Sequence, residues 1–215
     1  LFALIIYVRG GWRYGWHYGS SDNSAAQWGA VGLLAAQDLF GITIPAFVKS
    51  ENLIWLNASY NNAGFFGYAS TATEWNWYST SPSALVQLAM DDETTTNAKW
   101  RVVERYIAER WPIESASSRL YYACYAFTKA MRLAKPKPVV NLWYNGLDWF
   151  DDPDVGLRQK VANQREAAGS WYAYAQQGNG YALGRTLSTA WAIGMLTPSV
   201  FAPPPKAVVS APKYW

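Results

Sequence analysis

Apolar and small residues fill the stretch between Asp22 and Phe40 on nearly every side, with Ala25, Ala26, Gly29, Gly32, Ala35 and Ala36 among them. A helix that is apolar all round belongs in an interior, and its small residues admit close neighbours. Asp22, Asn23 or Ser24 supplies its N-cap, and Gly41 its stop. The pattern predicts a shorter outer helix over Phe47 to Ser59. A second buried helix is predicted over Thr80 to Met90, with Pro82 in its first turn. Asn97 to Trp111 is amphipathic: Trp100, Val103, Ile107 and Trp111 share one face, while Arg101, Glu104, Arg105 and Glu109 cover much of the rest. Ser117 to Leu133, dense in Ala, Tyr and Phe, reads as a third inner helix. After the break at Lys135-Pro-Lys-Pro138, Asp152-Pro153 opens a helix that runs to Ala168 and stops at Gly169. Gly180 to Leu196 is the last inner helix. The prolines at 203–205 and 212 make residues 198–215 an extended tail.

These elements recur under one phrase. An aromatic glycine turn precedes an apolar helix at Gly10-Gly-Trp-Arg-Tyr14, at Gly64-Phe-Phe-Gly-Tyr68 and at Gly169-Ser-Trp-Tyr172. One helical pair cannot bury its own apolar face, so repeated pairs must stack. About four inner helices alternate with about three outer ones over residues 1–197, and no strand-rich domain is expected. Within Gly11 to Gly19, Trp12, Tyr14, Trp16 and Tyr18 alternate with Arg13, Gly15 and His17, a period of two that predicts extended chain with four rings on one side. Leu1 to Val8 is apolar but too short to span a bilayer, and it has no basic start or cleavage site. It reads as the end of a helix whose beginning lies outside, so the chain is expected to be a fragment or a processed product.

Composition narrows the class. Hydrophobic residues make up 51% of the 215 and charged residues 15%, which fits a packed chain. The net charge of +3 comes without any lysine or arginine cluster, which argues against nucleic acid as a partner. The single cysteine rules out an internal disulfide framework.

The segment Gln164-Arg-Glu-Ala-Ala-Gly169-Ser-Trp171 resembles the Gln…Gly-x-Trp motif of squalene and hopene cyclases. Ala190-Trp-Ala-Ile-Gly-Met-Leu196 is similar to the inner helix that follows that motif. Gly10 to Tyr14, with Gln27-Trp28, is similar to turns in bacterial proteins with prenyltransferase and squalene oxidase repeats. The resemblance covers most of residues 9–197. It implies an all-α fold, an α/α toroid of alternating inner and outer helices, of which this chain is the C-terminal part. It also implies a structural motif in Gln164, Gly169 and Trp171, with Gln164 bonding backbone groups at a helix end and packing on the Trp171 ring.

The family's chemistry is not carried by matching residues. Its cyclases use an Asp-x-Asp-Asp acid, and the nearest approaches are Asp91-Asp-Glu93 and the group Asp148, Asp151, Asp152 and Asp154, neither with that spacing. The first reads as a solvated turn. Its zinc enzymes place Asp two residues before Cys and a His downstream; Tyr122 stands two before Cys124, and no histidine follows. Cys124 therefore reads as a small packing residue. His17, the one histidine, is the only possible triad base, without a Gly-x-Ser-x-Gly elbow. Asp148 and Asp151 are candidate acid–base residues, and Asp148, Asp151, Asp152 and Asp154 candidate calcium ligands, though capping and solvation also account for them. Asn57-Ala-Ser59 fits a glycosylation sequon.

The aromatics carry the strongest functional pointer. Trp12, Tyr14, Trp16, Tyr18, Trp75, Trp77, Trp171 and Tyr174 are candidate ligand-binding residues, either lining a mouth for a sugar, an isoprenoid or a peptide, or stapling one repeat to the next. The expected function is a non-catalytic binding or scaffolding module without a cofactor, in a larger extracytoplasmic assembly. It would dock other chains through its aromatic surface and the tail 198–215, with a glycan or lipid-like ligand in view and no transmembrane segment. Two alternatives stand beside it: an isoprenoid enzyme fragment without its acid motif, and a carbohydrate-active toroid using Asp148 or Asp151.

Overall fold

In the computed structural model, residues 10–15, 18–73, 77–111, 121–171 and 184–197 are described. The first apolar run forms α1, Asn23–Phe40. The Asp22 carboxylate accepts from the Ala25 N–H, and Gly41 closes the helix in the left-handed region at φ 67°. The other helices are α2 (Ala46–Ser59), α3 (Trp77–Met90), α4 (Ala98–Ala108), α5 (Tyr121–Leu133), α6 (Leu157–Asn163) and α7 (Arg185–Leu196). Among the described residues the only sheet is a hairpin of β1 (Tyr60–Asn61) and β2 (Phe65–Phe66), antiparallel with Tyr60 opposite Phe66. The chain is thus mostly helical, as its periodicity indicates.

The odd-numbered helices pack in succession, α1 on α3, α3 on α5 and α5 on α7. The even-numbered helices pack more lightly, α2 and α4 on α3, and α6 on α7. α3 sits at the centre. Its described side chains, from Ser79 to Met90, are all buried. One apolar core runs without a break from Trp12 through Trp55, Leu85, Trp100 and Phe127 to Met195.

A buried asparagine organises the first half. Asn23, with no exposed surface, donates from Nδ2 to Ser59 Oγ (3.1 Å) and to the Gly67 carbonyl (2.7 Å). Its Oδ1 accepts from Trp55 Nε1 and Gln87 Nε2, both at 3.0 Å. One side-chain amide thereby joins α1, α2, the end of the hairpin and α3, with every donor and acceptor used, as burial in a low dielectric requires.

Three expectations change. α3 begins three residues before Thr80, so Pro82 lies inside the helix. The turn ahead of Pro82 is held by the hairpin: Phe66 N–H donates to Ser81 Oγ (3.0 Å) and Thr80 Oγ1 donates to the Phe66 carbonyl (2.5 Å). The helix expected from Asp152 to Ala168 is only α6. Asp152 caps a tight turn instead, accepting from the Asp154 and Val155 N–H groups, and Gly156 precedes the helix. The described residues after Gly11 do not form an extended one-sided ribbon. The chain folds back, with Asp22 N–H donating to the Trp12 carbonyl (3.1 Å) and Gly11 N–H to Ser21 Oγ (3.2 Å). That loop buries Trp12 and turns Tyr14 to solvent at 70% exposure. Trp12 seats on Gly29 of α1, where a Cβ would meet the ring at 3.0 Å. Leu1–Val8, the tail 198–215, and the first residues of the helices expected from Ser117 and Gly180 lie outside the described residues.

Candidate functional site

Of the aromatics singled out by sequence, Trp16, Trp75 and Tyr174 lie outside the described residues, as do His17 and the side chain of Trp77. Trp12 and Trp171 are buried in the core. Trp171 Nε1 donates to the Val161 carbonyl (2.7 Å) at the end of α6. Gly169, at φ 81°, makes the turn that brings the indole back. The Arg165 guanidinium lies over the Trp171 ring at 5.9 Å. Gln164 is the C-cap residue of α6, its backbone N–H on the Val161 carbonyl.

Tyr14 and Tyr18 remain at the surface. The Tyr14 hydroxyl lies 2.9 Å from that of Tyr68 and 3.5 Å from Ser24 Oγ. Arg13 spreads over the Tyr18 and Tyr68 rings at 5.2 and 5.8 Å and pairs with Asp22 at 3.6 Å. This cluster forms the rim of a longer aromatic wall that the sequence reading did not single out.

The wall is built on helical spacing. Ser24, Gln27 and Trp28 share one face of α1, and Tyr122, Tyr125 and Lys129 one face of α5. Tyr122 OH donates to the Ser24 carbonyl (3.1 Å) and accepts from Gln27 Nε2, joining the two helices. Burial raises the Tyr122 phenol above its ordinary range, so it stays protonated and donating. Tyr125 stacks on Trp28 (centroids 6.0 Å) and on Trp191 of α7 (6.1 Å), and Trp191 meets Tyr122 edge-on at 5.5 Å. Gly194 makes that stacking possible, since a Cβ there would stand 3.1 Å from the Tyr125 ring. Trp28 is 43% exposed, and Tyr122, Tyr125 and Trp191 are half-buried.

Behind the wall sits Lys129, with none of its surface exposed. Its Nζ lies 3.8 Å from the Trp28 ring centre and 4.7 Å from that of Tyr125. No hydrogen-bond partner meets it among the described residues. Burial pulls its pKa down from 10.5 to about 7. The next cation on α5, Arg132, is spent on the end of α7, donating to the Gly194, Met195 and Thr197 carbonyls. A lysine at the fourth position after Tyr125, flanked by Ala, Phe and Met in an inner helix, is the signal that would have found this site.

The acidic candidates are engaged in local structure. Asp148 accepts from the Phe150 and Asp151 N–H groups, and Asp151 pairs with Arg158 at 2.7 Å. The structure does not assemble Asp148, Asp151, Asp152 and Asp154 into a cation site, and no group of three or more possible metal ligands occurs among the described residues. Asp91 corrects the solvated-turn reading. It is buried, Asn52 Nδ2 donates to it at 2.8 Å, and burial lifts its pKa to about 8. Only Asp92 faces solvent there, bridging Lys49 and Lys135. Cys124 is buried in the core, as read from sequence. No helix among the described residues is long and apolar enough to cross a membrane. Comparison with family models, with curated proteins and with solved structures finds no match.

Proposed function

We propose that this chain is a non-catalytic binding module of α/α-repeat type, part of a toroid, whose ligand lies on the wall of Trp28, Tyr125, Tyr122 and Trp191. The observation that carries the reading is the wall itself. Rings from three helices stack in one row, stay half-exposed, and are braced from behind by hydrogen bonds. Preorganised rings present area at little entropic cost. The Tyr14, Tyr68 and Tyr122 hydroxyls are already bonded to one another or to backbone, which leaves ring faces for contact. That favours an apolar, lipid-like ligand over a glycan, which needs many polar partners.

A second reading, docking of a partner protein, is favoured by the exposed apolar side chains Leu39, Phe40, Ile42 and Phe47 where α1 runs into α2. Calorimetric titration with farnesol and with cellohexaose tests the first. Farnesol should bind, and Trp191→Ala should weaken it about tenfold, the loss of one stacked ring. Binding of cellohexaose alone would transfer the wall to the carbohydrate reading. Binding of neither would remove the small-ligand reading.

A further inference from the structure

We propose that Lys129 is a carbonyl-capturing lysine that forms an imine with an apolar aldehyde held on the aromatic wall. The proposal rests on the reading of that wall as the binding face. Lys129 is the only lysine among the described residues that is fully buried. Among the described residues its amine meets two ring faces and no carboxylate, hydroxyl or carbonyl within hydrogen-bond reach. A structural lysine at a buried position is normally paired, because an unpaired ammonium is costly to bury. Burial without a polar partner favours the free amine, and only the free amine has the lone pair that attacks carbon.

The surroundings also select the partner. Among the described residues the groups facing Nζ are Trp28 on α1 and Tyr125 on its own helix, which offer no hydrogen-bond donor for a phosphate or a carboxylate. A carbonyl carbon on an apolar chain or ring fits. In the reaction the amine lone pair forms the N–C bond while the C=O π pair moves to oxygen. That oxygen takes the proton shed by nitrogen and, with one further proton from solvent, leaves as water. The nitrogen lone pair closes the C=N bond, and the last N–H proton returns to solvent. No oxidant or reductant is required.

Two magnitudes oppose each other. Near pH 7 about half of an amine titrating there is neutral, against roughly 0.04% of an ordinary lysine, an advantage of about a thousandfold. Occlusion works the other way, because Nζ lies behind the Trp28 ring. Trp28 is itself 43% exposed on a helix whose Gly32 is open, so rotation of that ring is the path in.

The test is reductive trapping. The whole chain is incubated at pH 7 with decanal and cyanoborohydride, and adducts are located by peptide mass mapping over time. Expected is modification at Lys129 ahead of the exposed lysines, suppressed by excess decanol, and absent in Lys129→Met while the other lysines label as before. Labelling that follows surface exposure, with Lys129 last, would overturn the proposal. Decanol, which can bind but not react, separates the two failures. If decanol binds and Lys129 is not trapped, the capture proposal alone falls. If decanol does not bind either, the wall reading falls with it. Far-ultraviolet circular dichroism identifies a Lys129→Met that fails to fold, and Lys129→Arg then replaces it.

Discussion

Replacing Lys129 by Met should stabilise the protein. An amine whose pKa falls from 10.5 to about 7 on burial costs the fold roughly 5 kcal/mol at neutral pH, at about 1.4 kcal/mol for each factor of ten. The Trp28 and Tyr125 ring faces, at 3.8 and 4.7 Å, favour the ammonium and narrow this cost without abolishing it. Methionine has similar length, carries no charge and keeps favourable contact with both rings. Urea unfolding of both proteins from pH 6 to 10.5 measures the effect. The folded-state pKa lies below the unfolded one, so between about 7 and 10.5 the unfolded chain binds the proton and the native chain does not. Wild-type stability therefore rises with pH across that window, and below it the full penalty remains. Subtracting one protein from the other cancels every other titrating group. The advantage of Lys129→Met should be greatest near pH 7 and vanish toward pH 10.5. A variant less stable than wild type at pH 7, or a difference that stays flat across the window, would refute the reasoning.

Asn23→Ala orphans Trp55 Nε1 and leaves Ser59 and Gly67 without their donor, so a loss of roughly 3–5 kcal/mol is expected by thermal unfolding. Asp91→Asn keeps an acceptor for Asn52. Because the folded pKa of Asp91, about 8, lies above the unfolded 3.8, wild-type stability falls as pH rises between them. The variant's melting temperature should thus match wild type near pH 4 and exceed it by a growing margin up to pH 8. Gly10 stands at φ 75°, and a Cβ there would lie 1.6 Å from the Glu51 carbonyl oxygen. Gly10→Ala should cost more than about 2 kcal/mol by the same melts, and an unchanged Tm would show that the loop does not dock on α2.

The helices were readable wherever local chemistry and burial agree. Asp22 and Gly41 bound α1 by capping alone, and Asn97 caps α4 with bonds to the Lys99 and Trp100 N–H groups. Asp152-Pro153 misled because the same side chain that starts a helix also closes a turn, and the Gly156 that follows decides between them. Trp12 and Tyr14 have equal claims in sequence to face a ligand. Closure of the loop onto Ser21 and Asp22 sends one inward and the other out, a tertiary event without local signature. The wall escaped notice for a related reason. Its members come from α1, α5 and α7, up to 163 positions apart between Trp28 and Trp191, and only packing brings them into one row.

Asn23 has a consequence for the order in which the molecule opens and closes. Its partners lie 36, 44 and 64 positions along the chain, at Ser59, Gly67 and Gln87. No two-helix intermediate satisfies the amide, since each lacks a donor or an acceptor that the third element supplies. α1, α2, the hairpin and α3 must therefore gain and lose their amide-exchange protection together, as one cooperative unit. α7 shares no bond with that centre. It is free to exchange its protons at a lower opening energy, and the Trp191 end of the aromatic row becomes the part of the wall that breathes.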